Sequence, residues 1–259
     1  MLLVVDVGNT EITVGLFAGE QLSADWRLTT SARRTSDEWA ATLTSYLSHA
    51  GHSTNEIDAA IVASVAPSVT ENLCQGVETA VGIRPVLVDS STALPVVLDV
   101  EEPKQVGADR IVNTLAAAEL YRRDTVVVDF GTATTFDCIT ADGRFLGGVI
   151  SPGLQSAAEE LSQRAAKLPA TELEPPSHVI GRRTEDCIKA GVLFGTAEAV
   201  DGIVRRIKAE WPDGGVPYVV ATGGLANKIV PLSQEIEAHE PHLTLLGLRI
   251  AAARVGLEW

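Results

Sequence analysis

One construction occurs twice in this chain and constrains its fold more than any other feature. Leu2-Leu3-Val4-Val5-Asp6-Val7-Gly8-Asn9-Thr10 is an apolar run closed by Asp-x-Gly and polar residues, and Thr125-Val126-Val127-Val128-Asp129-Phe130-Gly131-Thr132-Ala133-Thr134-Thr135 repeats it further along. Each copy is followed by a second extended stretch (12–17, 135–139), a turn rich in glycine and charge (18–20, 141–144) and a third stretch (22–28, 145–150). The pattern predicts strand, hairpin, strand, turn, strand, made twice. Helical periodicity follows in each half, at 37–49 with Trp39, Leu43, Tyr46 and Leu47 on one face, and at 154–166. Further buried-strand runs stand at 59–65, 85–89, 218–222 and 243–248, and the Ala-rich stretch 247–256 reads as helix. Strands alternating with helices predict an α/β fold with a mixed sheet in each half. With no flexible tether in sight, a helix over 111–122 joins a first half, 1–115, to a second, 116–259.

Composition narrows the partners. The chain has 259 residues and is 46% hydrophobic, ample for two packed cores. Its net charge of −14 disfavours nucleic acid and anionic lipid as partners. The opening apolar run is cut by Asp6, too early for a signal peptide, and no later run spans a bilayer, so a cytoplasmic protein is expected. Cys74, Cys138 and Cys187 lie far apart without ligand spacing, which argues against disulfides or a zinc site.

The repeated hairpin suits a triphosphate. Gly8 lets backbone amides approach phosphate oxygens, and Asn9 and Thr10 add neutral donors. Asp6 makes sense there only through a cation, and Mg²⁺, held directly or through water, reconciles the carboxylate with phosphate. The alternative is an ordinary Asp/Gly/Asn turn, which two matched copies make harder to sustain. The second copy surrounds Gly131 with Thr132, Thr134 and Thr135, and Asp129 at its strand end suggests a second cation, monovalent in kind. Thr222-Gly223-Gly224-Leu225-Ala226 is a strand-to-helix turn against which adenine or ribose could lie. Gly107-Ala108-Asp109-Arg110 offers a carboxylate that could take a proton from an acceptor hydroxyl and a guanidinium that could clamp an anion. The competing reading is a helix N-cap by Asp109 with an exposed arginine.

Taken together these elements resemble the acetate and sugar kinase, Hsp70 and actin superfamily. Asp6 to Thr10, Thr35-Ser-Asp-Glu38, Ser64-Val-Ala-Pro67, Val106 to Ile111, Asp129 to Thr135, Gly147-Gly-Val-Ile-Ser-Pro-Gly153 and Thr222 to Gly224 narrow the resemblance to the type III pantothenate kinase family. The resemblance implies two actin-like, ribonuclease H-like halves, each a mixed β-sheet flanked by helices, with an ATP cleft between them. It implies ATP-dependent phosphorylation of pantothenate to 4'-phosphopantothenate, the first step of coenzyme A biosynthesis. Asp6, Val7, Gly8, Asn9, Thr10, Glu11, Ile12 and Thr13 would bind the ATP phosphates with Thr132, and Gly223 and Gly224 the rest of the nucleotide. Asp109 would be the general base, with Gly107, Ala108 and Arg110 lining the substrate pocket. Asp129 would hold K⁺ or NH₄⁺ beside the Mg²⁺ at Asp6, and Thr184 would reach the substrate as part of a homodimer. Val100 stands where family members frequently carry a tyrosine, so the substrate loses one hydroxyl contact, and Arg183 replaces a small polar residue. The residues alone leave room for another phosphotransfer on the same scaffold, or for a nucleotide-binding regulator without catalysis.

Overall fold

The computed structural model describes residues 1–165 and 167–259. They divide into two compact units, Met1–Glu119 with Leu243–Trp259, and Leu120–His242.

In the first unit, β1 (Leu2–Val7), β2 (Glu11–Ala18), β3 (Gln21–Thr29), β4 (Ala59–Ser64) and β5 (Val86–Val88) form a sheet in the order β3-β2-β1-β4-β5. β1, β2 and β3 pair antiparallel, whereas β4 runs parallel to β1 and β5 parallel to β4. β1 is central and covered on both faces, which is why its sequence is nearly continuous Leu and Val rather than alternating. Leu3, Val5 and Val7 face one apolar cluster with Trp39, Leu43 and Leu73, while Leu2 and Val4 face another with Ile61 and Leu248. Helix α1 (Ser36–His49) opens with a reciprocal capping box between Thr35 and Glu38, and α2 (Pro67–Val81) ends on Gly82 in the left-handed region at φ 76°. Helix α3 (Ala108–Tyr121) carries the chain out of this unit.

In the second unit, β6 (Thr125–Phe130), β7 (Ala133–Ile139), β8 (Arg144–Pro152), β9 (Tyr218–Thr222) and β10 (Ala238–His239) lie in the order β8-β7-β6-β9-β10. The directions repeat those of the first sheet: antiparallel through β6, β7 and β8, parallel through β6, β9 and β10. Helix α4 (Leu154–Arg164) follows β8, and the helix expected to reach 166 closes at Arg164, with Ala166 outside the described residues. Helix α5 (Thr184–Glu210) was not anticipated; Ile188, Val192, Leu193, Ala197, Val200 and Val204 recur at helical spacing and pack on β6 and β9 through one apolar cluster. The short α6 (Ala226–Ile229) follows β9.

Two expectations are corrected at the C-terminus. Residues 243–248 are not a strand but the start of α7 (Leu243–Arg254), because an unbroken apolar run shows neither helical nor strand period and only its packing partner decides. This helix also belongs with the first unit, not with the second half. Thr244 donates to Asn113 Oδ1 at 2.9 Å, and a Cβ on Gly247 would fall well inside 3.0 Å of the Val112 carbonyl, so α7 is seated directly on α3.

Candidate active site

The first hairpin is built on cross-strand pairing. Asp6 at the end of β1 lies opposite Thr13 on β2 and beside Ala63 on β4, so Asp6 and Thr13 share one face at the carboxyl end of the strand. Their neighbours Val7 and Ile12 point the other way and are fully buried, so those two expected phosphate ligands can offer only backbone. At the tip, Gly8 donates its N–H to Glu11 O at 3.0 Å, and a Cβ on Gly8 would come within 2.8 Å of that oxygen. Glycine is therefore required here to close the hairpin, and its amide is spent inside the turn rather than on a phosphate. Thr30, just beyond β3, latches the tip by donating its hydroxyl to Gly8 O at 2.7 Å and its amide to Thr10 O at 2.9 Å. Asn9, Thr10 and Glu11 are exposed, and Glu11 pairs with Arg27 at 2.6 Å.

Asp109 belongs to the same unit and the same sheet end. Helix α3 begins at Ala108, and Ile111 N–H bonds to Gly107 O at 3.1 Å, so the Asp109 carboxylate sits inside the first turn and does not cap it. Its Oδ1 accepts the N–H of Arg110 at 2.8 Å and overlies Gly107. The position where a Gly107 Cβ would stand is 3.1 Å from Val65 Cγ1, and Val65 N–H in turn bonds Val7 O at 3.0 Å. Asp109 Oδ1 and Val65 Cγ1 thus border the same side of Gly107, and Val65 is bonded to the end of the strand that presents Asp6. Burial raises the Asp109 pKa above the ordinary carboxylate value, opposed by the Arg110 N–H bond and charge. Ala108 is buried with its methyl in the core, so its expected substrate contact also reduces to backbone. Val100 is partly buried in the segment before α3 and brings no hydroxyl there.

The second unit repeats the arrangement with different fittings. Asp129 lies opposite Thr135 on β7 and beside Thr222 on β9. Gly131 N–H closes its hairpin on Ala133 O at 3.0 Å. Thr132 is exposed at the tip, and its carbonyl accepts the Ser156 hydroxyl at 3.0 Å from the first turn of α4. Gly153 packs so closely on the Thr132 carbonyl that any side chain would collide with it. The Gly223-Gly224 turn is brought to the same place: Gly223, at φ +90°, faces Asp129 Oδ1 and the Phe130 amide with no room for a Cβ, and Leu225 N–H bonds Phe130 O at 3.3 Å. Beside this turn opens a cavity of about 490 Å³ lined by Gln155, Leu173, Glu174, Leu225 and Lys228, with Lys228 and Glu174 paired at 2.6 Å. Sequence reasoning missed this cavity, since its wall at 170–174 has no periodicity to mark it. Thr184 is exposed as the first residue of α5.

Each unit therefore ends its central strand in an aspartate, opposes it with a threonine, and turns over a glycine. Two such units give the chain an actin-like fold. The fold is shared with component A of (R)-2-hydroxyglutaryl-CoA dehydratase from Acidaminococcus fermentans, aligned over 98% of this chain and 96% of that one with a TM-score of 0.58 at 16% identity. A putative 2-dehydro-3-deoxygalactonokinase from Sinorhizobium meliloti aligns over 100% and 98% with a TM-score of 0.56 at 15% identity. The sequence is more specific. A family profile described as type III pantothenate kinase matches residues 2–206. Proteins of that name from Geobacter sulfurreducens and Thermomicrobium roseum are 45% and 44% identical, each over 98% of this chain and at least 98% of their own length. The chain belongs to the type III pantothenate kinase family.

Proposed function

We propose that the chain transfers the γ-phosphoryl group of ATP to the primary hydroxyl of pantothenate, giving 4'-phosphopantothenate and ADP, the first step of coenzyme A biosynthesis. The observation that carries this reading is Asp109, a partly buried carboxylate that borders Gly107 on the same side as Val65, which is bonded to the end of the strand that presents Asp6. In the transfer, Asp109 takes the hydroxyl proton as the new oxygen–phosphorus bond forms and the bond to the β-phosphate oxygen breaks. A base whose pKa burial has raised holds that proton better than an ordinary carboxylate would.

The Asp6–Thr13 hairpin and Thr132 serve the phosphates, and the cavity beside Gly223 and Gly224 receives the nucleoside. No group of three or more His, Cys, Asp or Glu side chains that could hold a metal occurs among the described residues. Asp6 would be the protein anchor of a Mg²⁺ ion, which would supply charge neutralisation at the phosphates. Asp129, flanked by the hydroxyl-bearing Thr135 and Thr222, suits K⁺ or NH₄⁺. These cations would neutralise the triphosphate as charge develops. Arg110 supplies a guanidinium for the pantothenate carboxylate, and Thr184 completes the substrate site in a homodimer. No helix among the described residues is long and apolar enough to cross a membrane, in keeping with a cytoplasmic enzyme.

The test is the purified chain with ATP, Mg²⁺ and pantothenate, with and without KCl. Phosphopantothenate is expected, and its rate should depend on the monovalent ion. Phosphorylation of a sugar but not of pantothenate would overturn the reading, as would ATP-dependent thermal stabilisation with no transfer to pantothenate.

A further inference from the structure

Asp109 Oδ1 accepts the Arg110 N–H and overlies Gly107. The backbone at Gly107 is ordinary, outside the left-handed range, so no conformational demand calls for glycine there. What calls for it is space. The atom nearest to an added Cβ is Asp109 Oδ1, well inside 3.0 Å, and the next is Val65 Cγ1 at 3.1 Å. Neither is backbone. Val65 has little freedom to withdraw, because its β-branched side chain is stiff at χ1 and its amide is bonded to Val7 O at the end of β1. A methyl group at 107 would therefore displace the carboxylate first.

We propose that Gly107 is a positioning residue: it leaves open the one place from which Asp109 can act. This rests on the assignment of Asp109 as the base and adds the reason for the glycine two residues before it. A displaced carboxylate leaves its buried position and its alignment with the acceptor, and misplacement by about 1 Å can cost on the order of a hundredfold in rate.

Two measurements test it. In kinetics, Gly107→Ala should lower kcat about 10- to 100-fold, leave KM for ATP within about twofold, and move the acid limb of the kcat/KM profile to lower pH as the carboxylate becomes solvated. A wild-type kcat, or a profile that falls in amplitude without shifting, would overturn the proposal. In thermal unfolding, Gly107→Ala should lower Tm more when Asp109 is present than in an Asp109→Ala background, where the carboxylate is gone and only the 3.1 Å approach to Val65 Cγ1 remains. Equal losses in both backgrounds, or failure of both to fold, would mean that glycine answers some other constraint, and the proposal falls. The two readings fail separately. An Asp109→Asn protein with wild-type kcat would remove the base assignment, while the melting cycle would still report whether Gly107 makes room for that side chain.

Discussion

The hairpins of the two units carry the same Asp-x-Gly signature at the same place in the same strand order, yet they are held shut by different means. The first spans Gly8–Glu11 between the paired Val7 and Ile12; the second spans Gly131–Ala133 between Phe130 and Thr134 and is one residue shorter. The first is latched from behind by Thr30 and flanked by the Glu11–Arg27 ion pair, whereas the second leans on Gly153 and Ser156 at the start of α4. What both keep is the aspartate with a threonine directly opposite, Asp6 with Thr13 and Asp129 with Thr135. The duplicated frame fixes where the charge and hydroxyl stand, because strand register is discrete. Turn length and the latch are free to differ, because several local solutions close a hairpin.

The largest effects should separate the two aspartates by the ion proposed for each. Asp6→Asn and Asp129→Asn should each lower kcat/KM by about a hundredfold or more. In a cation titration, however, Asp129→Asn should lose its response to K⁺ while keeping its Mg²⁺ requirement, and Asp6→Asn should need more Mg²⁺ while still responding to K⁺. If both variants behave alike toward both ions, the division of labour between the units is wrong.

Smaller effects should separate the two glycines of the shared signature. Gly8→Ala meets the Glu11 carbonyl at 2.8 Å and should cost about 1–3 kcal/mol, or roughly 2–4 °C of Tm per kcal/mol. Gly131→Ala meets nothing nearer than 3.6 Å and should stay within about 0.5 kcal/mol of wild type. Equal shifts would mean that the two turns are not closed as described. The latches should differ less. Thr30→Val, which removes the 2.7 Å bond to Gly8 O, should cost about 1 kcal/mol in chemical denaturation. Glu11→Gln, which breaks an exposed ion pair, should cost no more than about 0.5 kcal/mol and even less in high salt. A greater loss for Glu11 than for Thr30 would make charge, not the hydroxyl latch, the stronger clasp.

Much of this was legible in the chain itself. Two apolar runs ending in Asp-x-Gly are local patterns, and strand and hairpin formation follow from neighbouring residues, so the six strands of the two openings could be read with bounds close to those found. The family motifs likewise single out Asp6, Asp109, Asp129 and Gly223 as candidate site residues, since residue type and spacing are all that such motifs use. Tertiary structure alone decided the rest. Residues 243–248 carry no period, and only their seat on α3 makes them helix and returns them to the first unit. Val7, Ile12 and Ala108 sit inside the motifs expected to bind ligand yet face the core, a fact set by strand alternation and helix phase relative to partners distant in sequence. The place where Asp109 and Val65 border Gly107, with Val65 bonded to the end of β1, joins three segments. Contact between such segments depends on how they pack, and no local pattern records it.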